Sequence, residues 1–371
     1  MLIEEALRPT ILEVNTEYFK ENISKINKYL DNKKIIIPVI KADGYGTEIN
    51  SRLEIIKDFE MVAVAITGEA IYLREIGYEN NILILNQPMI TDIDDIIKYD
   101  LTVGVARVEF LKLLNDKIKD KKIDKKINVH IEIETGMNRT GFKLDDLKEN
   151  IELIKSLDEI NIEGVYSHLS SADINEEYTR KQISIFKSAK EMLLENFETI
   201  KYYHIEASTG TLNYNIPDTN AVRPGIILYG YDAIVNQKEK IELQPIAKLK
   251  SKINFIKELD ENEKIGYSGS YITDKKTIIA TVPMGYADGM PRSLSNIGEV
   301  IVNGKKARII GKVCMDNFMI DVTDIEDVIV GTDVYIWDNE NLTLEEVAEK
   351  AGTINYEIIS RVAKRVRRVF I

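Results

Sequence analysis

The chain has 371 residues, a formal net charge of −12, and 44% hydrophobic and 30% charged residues. This acidic, ordinary composition argues against a nucleic-acid-binding surface, and no stretch has the length and apolarity of a membrane span or a signal peptide. The single cysteine, Cys314, excludes an internal disulfide and is typical of a reducing compartment. We therefore expect a cytoplasmic protein without nucleic-acid or membrane partners, long enough for one large and one smaller domain.

From about residue 33 to residue 230, short apolar segments alternate with amphipathic helical segments. The predicted strands are 35–41, 61–66, 82–86, 102–105, 127–134, 162–168, 201–207 and 224–228. The predicted helices include 17–30, 48–58, 68–76, 107–115, 144–157 and 176–195. Eight strands joined by helical crossovers are typical of a (β/α)8 barrel of the TIM type. A doubly wound sheet is disfavoured because no Gly-x-Gly-x-x-Gly turn follows the first strand. We predict an α/β fold whose N-terminal barrel covers 12–240.

Near residue 240 the pattern changes to strand-like segments separated by Gly, Asp and Asn turns. These segments are 247–256, 277–283, 299–302, 306–310, 318–322 and 333–337. They predict a C-terminal, mostly-β domain over 241–371, to which residues 1–11 would add a further strand.

Polar residues follow the apolar runs at the ends of the predicted barrel strands. They are Lys41 and Tyr45 after the first strand, Arg139 after the fifth, His168 at the sixth and Ser208 at the seventh, whereas Arg223 opens the eighth. Because strand ends meet on one face of a barrel, we expect these side chains to share one cavity. A half-buried lysine is less strongly held as an ammonium and can act as a nucleophile or base. A serine hydroxyl with nearby glycine amides suits an anionic cofactor bound through a phosphate. No His, Cys and carboxylate cluster has metal-ligand spacing, so we expect no catalytic metal.

Five segments in this order resemble the alanine racemases, which use pyridoxal 5'-phosphate and combine an eight-stranded barrel with a C-terminal β domain. The segments are Val39-Ile-Lys-Ala-Asp-Gly-Tyr-Gly46, Glu134-Thr-Gly-Met-Asn-Arg139, Val222-Arg-Pro-Gly-Ile-Ile-Leu-Tyr-Gly230, Val282-Pro-Met-Gly-Tyr-Ala-Asp-Gly289 and Gly311-Lys-Val-Cys-Met-Asp316. The resemblance covers nearly the whole chain. It implies an amino-acid racemase that supplies D-alanine for peptidoglycan and works as a homodimer with composite active sites.

The resemblance also implies the catalytic roles. Lys41 would form the Schiff base with the cofactor and act as base on the D-face of the substrate. Tyr267 would act on the L-face, and His168 would contact it while being held by Arg223. Arg223 would also face the pyridine nitrogen and, because a guanidinium keeps its protons, leave that nitrogen unprotonated.

Further assignments follow from the same resemblance. The phosphate side would include Tyr45, Ser208 and the amides near Gly225 and Ile226. The substrate carboxylate would meet Arg139 and the backbone N–H of Met315. Tyr286 would narrow the entrance, with Arg292, Asp173 and Asp316 further out, and Cys314 would be an apolar filler. His130 and His204 lie inside predicted strands and are assigned to packing.

Three positions depart from the family pattern. Glu132 stands where many members carry a carbamylated lysine, and we expect its carboxylate to pair directly with Arg139. Ala207 replaces the asparagine before the phosphate-binding serine, as in the serine racemases of vancomycin resistance. Lys364 is aligned with a tyrosine near the phosphate. These departures keep open a serine or mixed alanine/serine racemase, because apolar pockets reject an added hydroxyl only weakly.

Two functions from other classes are alternatives to racemisation. A non-catalytic barrel protein that only carries pyridoxal phosphate would lack the β domain. A decarboxylase of basic amino acids shares the lysine and the two-domain plan, but the pair of tyrosines and the arginine on the pyridine fit racemisation better.

Overall fold

The computed structural model describes residues 8–231 and 241–371. The barrel strands are β2 (Ile35–Ile36), β3 (Met61–Val64), β4 (Asn81–Ile84), β5 (Thr102–Val105), β6 (Ile127–Glu132), β7 (Ile160–Tyr166), β8 (Tyr202–His204) and β9 (Ala221–Val222). Strands β3 to β8 form one parallel six-stranded sheet, and β2 pairs in parallel with β9. Single bridges from Val39 to Ala63 and from Ala207 to Arg223 join these two sheets at both edges. The predicted (β/α)8 barrel is therefore confirmed.

Helical segments alternate with the barrel strands. They are α1 (Thr16–Tyr29), α2 (Lys41–Tyr45), α3 (Leu53–Ile56), α4 (Thr67–Glu75), α5 (Ile93–Lys98), α6 (Val108–Lys121), α7 (Leu144–Lys155), α8 (Glu176–Asn196) and α9 (Ser208–Asn213). Asn15 caps α1 by accepting from the N–H of Tyr18, and Asn175 caps α8 by accepting from the N–H of Tyr178. Among the described residues, no helix is both long and apolar enough to span a bilayer.

The first and last barrel strands are shorter than predicted. Pro38 has no N–H for a ladder, and regular pairing in the first strand stops at Ile36. The predicted strand 224–228 was wrong: β9 ends at Val222, and Ile226–Tyr229 is a 3-10 helix. Arg223 therefore follows the last strand. The predicted helix 48–58 is likewise divided, into a 3-10 turn at Ile49–Arg52 and α3.

The C-terminal domain is mostly β, as predicted. Its strands are β10 (Ala247–Lys252), β11 (Phe255–Leu259), β12 (Lys264–Ile265), β13 (Tyr271–Ile272), β14 (Thr277–Val282), β15 (Glu299–Val302), β16 (Lys305–Ile310), β17 (Phe318–Asp321), β18 (Asp333–Trp337) and β19 (Arg367–Phe370), with helices α10 (Leu344–Ala351) and α11 (Asn355–Ser360). The predicted strand 247–256 is two strands, because the chain leaves β10 after Lys252 and pairs again in β11.

The N-terminal strand β1 (Ile11–Val14) belongs to the sheet of this second domain. It pairs antiparallel with β10 and parallel with β19 inside a nine-stranded sheet. The predicted boundary between residues 11 and 12 thus falls within a strand. The same domain places α11 against α2 at the mouth of the barrel.

Candidate active site

Lys41 begins a left-handed turn at the carboxyl end of the barrel. Ala42, Asp43, Gly44 and Tyr45 all have φ between 54° and 64°. Non-glycine residues in this region cost about 1–2 kcal/mol each, so the surroundings must hold the turn. The Glu69 carboxylate does so by accepting from the N–H of Ala42 at 2.6 Å. Such strain is typical of functional sites.

A cavity of about 200 Å³ opens beside this turn. The predicted residues that line it are Lys41, Tyr45, Arg139, His168, Ala207, Ser208, Arg223 and Gly225. Residues at the carboxyl ends of seven barrel strands line the cavity, as the barrel prediction requires. Among the described residues, no group of His, Cys, Asp and Glu could hold a metal ion.

The cavity changes the protonation of the two groups suited to proton transfer. Burial lowers the pKa of the Lys41 ammonium, the charge of Arg139 lowers it further, and Glu69 opposes the shift. Burial also lowers the pKa of His168, to about 3, helped by the charges of Arg223 and Arg139. His168 is therefore neutral near pH 7, and Lys41 loses its proton more readily than an exposed lysine.

One end of the cavity offers hydroxyls and a backbone amide. The N–H of Gly225 donates to the Ser208 Oγ at 2.9 Å. Tyr45 is packed so closely that a Cβ at position 225 would lie 2.2 Å from its hydroxyl. Tyr356, from α11, contacts Ser208. Ile226 is fully buried behind this end.

Arg223 lies buried beneath the cavity, but its partners differ from those predicted. Its Nη1 donates to the Nδ1 of His204 and to the His204 carbonyl, and its Nη2 donates to the Ser167 carbonyl at 2.6 Å. We expected Arg223 to hold His168 by a hydrogen bond, and this was wrong. Arg223 acts on His168 only through its charge, which lowers the pKa of the imidazole. His204, assigned to packing from the sequence, is instead the side chain bonded to Arg223.

Glu132 is buried below Arg139 without pairing with it. Its Oε1 accepts from the Thr140 hydroxyl at 2.8 Å, and the Tyr166 hydroxyl also contacts the carboxylate. In the described ranges, no ion pair joins Glu132 to Arg139, so the expected direct contact was wrong. Burial raises the pKa of Glu132, while Arg139 acts on it only through its charge.

Lys364 does not reach this cavity. It lines a separate cleft with Arg368 and Asp43, on the other side of the Lys41 turn. Tyr356 occupies the wall beside Ser208 instead. The assignment of Lys364 to the cofactor pocket was wrong because the C-terminal segment 361–371 turns away into β19 after α11.

The β-domain candidates lie on a surface away from the cavity of their own chain. Tyr267, Met315 and Tyr286 are 68%, 53% and 43% exposed. The loop of Tyr286 packs on that of Met315, because the N–H of Tyr286 donates to the Cys314 carbonyl at 3.0 Å. We call the exposed side chains of Tyr267, Tyr286 and Met315 the aromatic patch.

Residues around the aromatic patch have structural partners. The thiol of Cys314 donates to the Lys312 carbonyl at 3.4 Å, and burial raises its pKa. Asp316 accepts from Arg365 at 2.8 Å. Arg292 and Asp173 are exposed.

Two residues of the cavity region escaped the sequence analysis. Glu69 lies in the first turn of α4, where an acidic residue is so common that it carries no signal. Tyr356 lies near the C-terminus, and only the docking of α11 on the barrel shows its position.

The chain matches two family models, "Alanine racemase, N-terminal domain" over residues 14–233 and "Alanine racemase, C-terminal domain" over residues 246–370. It is 37% identical to an alanine racemase of Clostridium novyi, over 98% of this chain and 96% of that one. Among solved structures, alanine racemase of Clostridium difficile 630 has a TM-score of 0.91 at 34% identity, covering 98% of this chain and 96% of that chain. A complex of that racemase with cycloserine has a TM-score of 0.88 at 33% identity over 98% and 96% of the two chains.

Proposed function

Because this chain belongs to the alanine racemase family, we propose that it interconverts L-alanine and D-alanine with pyridoxal 5'-phosphate bound in the barrel cavity. The observation that carries the proposal is the convergence of Lys41, Ser208 and Arg223 on one cavity. These residues supply an amine, a hydroxyl and a buried cation. The D-alanine formed would serve peptidoglycan synthesis.

The residues of the cavity fit this cofactor. Ser208, Tyr45, Tyr356 and the amides near Gly225 and Ile226 would hold the phosphate. The close approach of Tyr45 to Gly225 leaves no room for a side chain there, as a backbone that cradles a phosphate requires. Lys41 would attach the cofactor, and Arg223 would face its pyridine nitrogen. The bound cofactor supplies the electron sink that makes the substrate α-proton acidic.

Racemisation needs a base on each face of the α-carbon, and we assign these roles to Lys41 and Tyr267. The lowered pKa of Lys41 makes its neutral amine, the form that accepts a proton, more available than in an exposed lysine. Tyr267 would act from the opposite face, with the neutral His168 in contact with its hydroxyl. A neutral imidazole nitrogen can accept a hydrogen bond from the phenol, whereas a protonated one cannot.

The substrate carboxylate would bind to Arg139 and to the N–H of Met315, with Tyr286 narrowing the entrance. Glu132 would orient Arg139 through its charge, in place of a carbamate. If Glu132→Gln leaves both the KM for alanine and kcat unchanged, Glu132 has no such role.

The aromatic patch supports a homodimer with composite sites. Tyr267 and Met315 point to solvent and do not line the cavity of their own chain. We propose that each subunit presents its aromatic patch to the barrel cavity of the partner. The free thiol of Cys314 is compatible with the reducing cytoplasm as the location.

The test is chiral chromatography of the purified, pyridoxal-phosphate-loaded protein with L-alanine and L-serine in parallel. We expect rapid formation of D-alanine and little D-serine, and no product from Lys41→Ala. Comparable or dominant D-serine would overturn the substrate assignment and point to Ala207, which lines the cavity, as the residue to change to asparagine.

A further inference from the structure

Beneath Arg223, three buried side chains form a chain that runs away from the cavity through the barrel. The Nε2 of His204 lies 2.9 Å from the Nδ1 of His130, and the Nε2 of His130 lies 3.8 Å from the Oε2 of Glu163. His130 and His204 are fully buried, and Glu163 is nearly so. These residues come from β6, β8 and β7, which are neighbours in the sheet.

The barrel has space for these three side chains because a glycine lies beside the His130 ring. His130 stands opposite Gly164 in the pairing of β6 with β7. A Cβ at position 164 would lie 2.6 Å from the His130 ring, so any side chain there would displace the imidazole. The His130 Nε2 and the Glu163 Oε2 have no other hydrogen-bond partner among the described residues. Two buried polar atoms that face each other and nothing else are costly unless they interact.

The chemistry of arginine sets the direction of every hydrogen bond in this chain. A guanidinium can only donate, so the His204 Nδ1 bonded to it must be an acceptor. The proton of neutral His204 is then on Nε2 and points to the Nδ1 of His130. The proton of neutral His130 is in turn on Nε2 and points to Glu163.

Burial lowers the pKa of both His130 and His204, so both rings are neutral near pH 7. Within the described ranges, Arg223 has no carboxylate within ion-pair distance. The chain of imidazoles therefore links a buried cation at the cavity to a buried anion at Glu163. Glu163 is also 3.9 Å from the exposed Lys201, which gives the chain an end at the protein surface.

We propose that Glu163 is a positioning residue that, through His130 and His204, fixes the orientation and hydrogen-bond direction of the Arg223 guanidinium. Under the function proposed above, it thereby controls the donor that faces the pyridine nitrogen of the cofactor. Glu163 acts on Arg223 through the hydrogen bonds of His130 and His204, and the loss of its charge makes the environment of that nitrogen more positive.

The first experiment reads the tautomers directly. The protein has only three histidines. Solid-state NMR of protein labelled with ¹⁵N in the imidazole rings therefore gives signals from three rings, and the His168→Gln variant assigns the signals of His168. We expect His130 and His204 to be neutral Nε2–H tautomers from pH 6 to pH 8, both without and with the cofactor. An Nδ1–H tautomer or a protonated ring at either position overturns the proposal.

The second experiment removes the charge at the end of the chain. In Glu163→Gln, we expect the ring nitrogen shifts of both His130 and His204 to move, while those of His168 stay. The matched control is Glu152→Gln, which removes an exposed carboxylate of the same charge and should move none of the three. A response confined to His130 would show that the chain does not reach Arg223 and would overturn the proposal.

The third experiment measures the consequence at the cavity. In Glu163→Gln loaded with pyridoxal phosphate, the pH midpoint of the cofactor's absorbance change should fall by roughly half a unit. We also expect kcat for alanine to fall by about tenfold with little change in KM.

If Glu163→Gln does not fold, His130→Gln tests the same link. We then expect the ring nitrogen shifts of His204 to move, and unchanged shifts would overturn the proposal. The NMR measurement does not depend on turnover. An inactive protein with the expected tautomers would therefore refute the proposed function but not the hydrogen-bonded connection from Glu163 to Arg223.

Discussion

The barrel and the β domain present their candidate residues in opposite ways. In the barrel, Lys41, His168 and Arg223 are drawn into one cavity, where burial and mutual charge shift their pKa values. In the β domain, Tyr267 and Met315 are exposed to solvent. Under the proposed function, the barrel holds a preorganised half of the site, and the β domain holds the half that a partner subunit would complete. An active site divided this way couples catalysis to assembly.

The largest effect should come from the β-domain half. Tyr267→Phe removes the proposed L-face base, and positioned acid–base groups contribute about 10²–10⁴-fold. We expect turnover of L-alanine to fall by that factor, while exchange of the α-proton of D-alanine with D₂O continues through Lys41. The measurement is α-proton exchange from each isomer by NMR. Equal losses from both isomers would remove Tyr267 from this role.

The second effect tests whether the two halves come from different chains. Lys41→Ala and Tyr267→Phe are each expected to be nearly inactive, but a mixed dimer has one site with both residues intact. Random mixing by co-expression should restore about a quarter of the wild-type activity, since half of the dimers carry one good site of two. Each variant mixed with itself is the control. Activity no higher than the sum of the two variants would place both halves within one chain.

The third effect concerns the barrel half alone. Gly225→Ala forces a Cβ against the Tyr45 hydroxyl, so we expect cofactor affinity to fall by about tenfold or more, measured by titration of the apoprotein. The matched control is Gly68→Ala in α4, where a Cβ meets nothing within 4 Å. That variant should keep its cofactor affinity and gain about 0.5–1 kcal/mol in the free energy of unfolding. Unchanged affinity in Gly225→Ala would show that the backbone there can adjust.

The smallest effect is on stability in acid. The folded-state pKa of His168, about 3, is below its ordinary value of 6.5, so protonation favours the unfolded chain. Its contribution is complete above pH 6.5 and is lost as the pH falls toward 3, by about 1.4 kcal/mol per pH unit. Urea unfolding at pH 7 and pH 5 should show that His168→Gln loses less stability than the wild type over this interval. Parallel pH dependences would mean that His168 is protonated in the folded state.

The two regions also differed in how far their local structure was predictable. The cavity residues of the barrel follow apolar runs, and the period of a strand already places its end at the barrel mouth. The placement of Lys364 failed because the C-terminal strand β19 has few apolar residues, and its pairing with β1 joins the two ends of the chain. Pairing between distant segments leaves no local signal.

The sequence by itself determined the barrel, the β domain, the family and the group of residues at the strand ends, because local periodicity and residue chemistry suffice for these. Only the tertiary structure decided the partners of those residues. It turned Arg223 toward His204, left Glu132 unpaired with Arg139, and brought Tyr356 to Ser208. Each of these contacts depends on differences of a few ångströms between elements far apart in the chain. Packing of the whole fold sets such distances, and no local pattern encodes them.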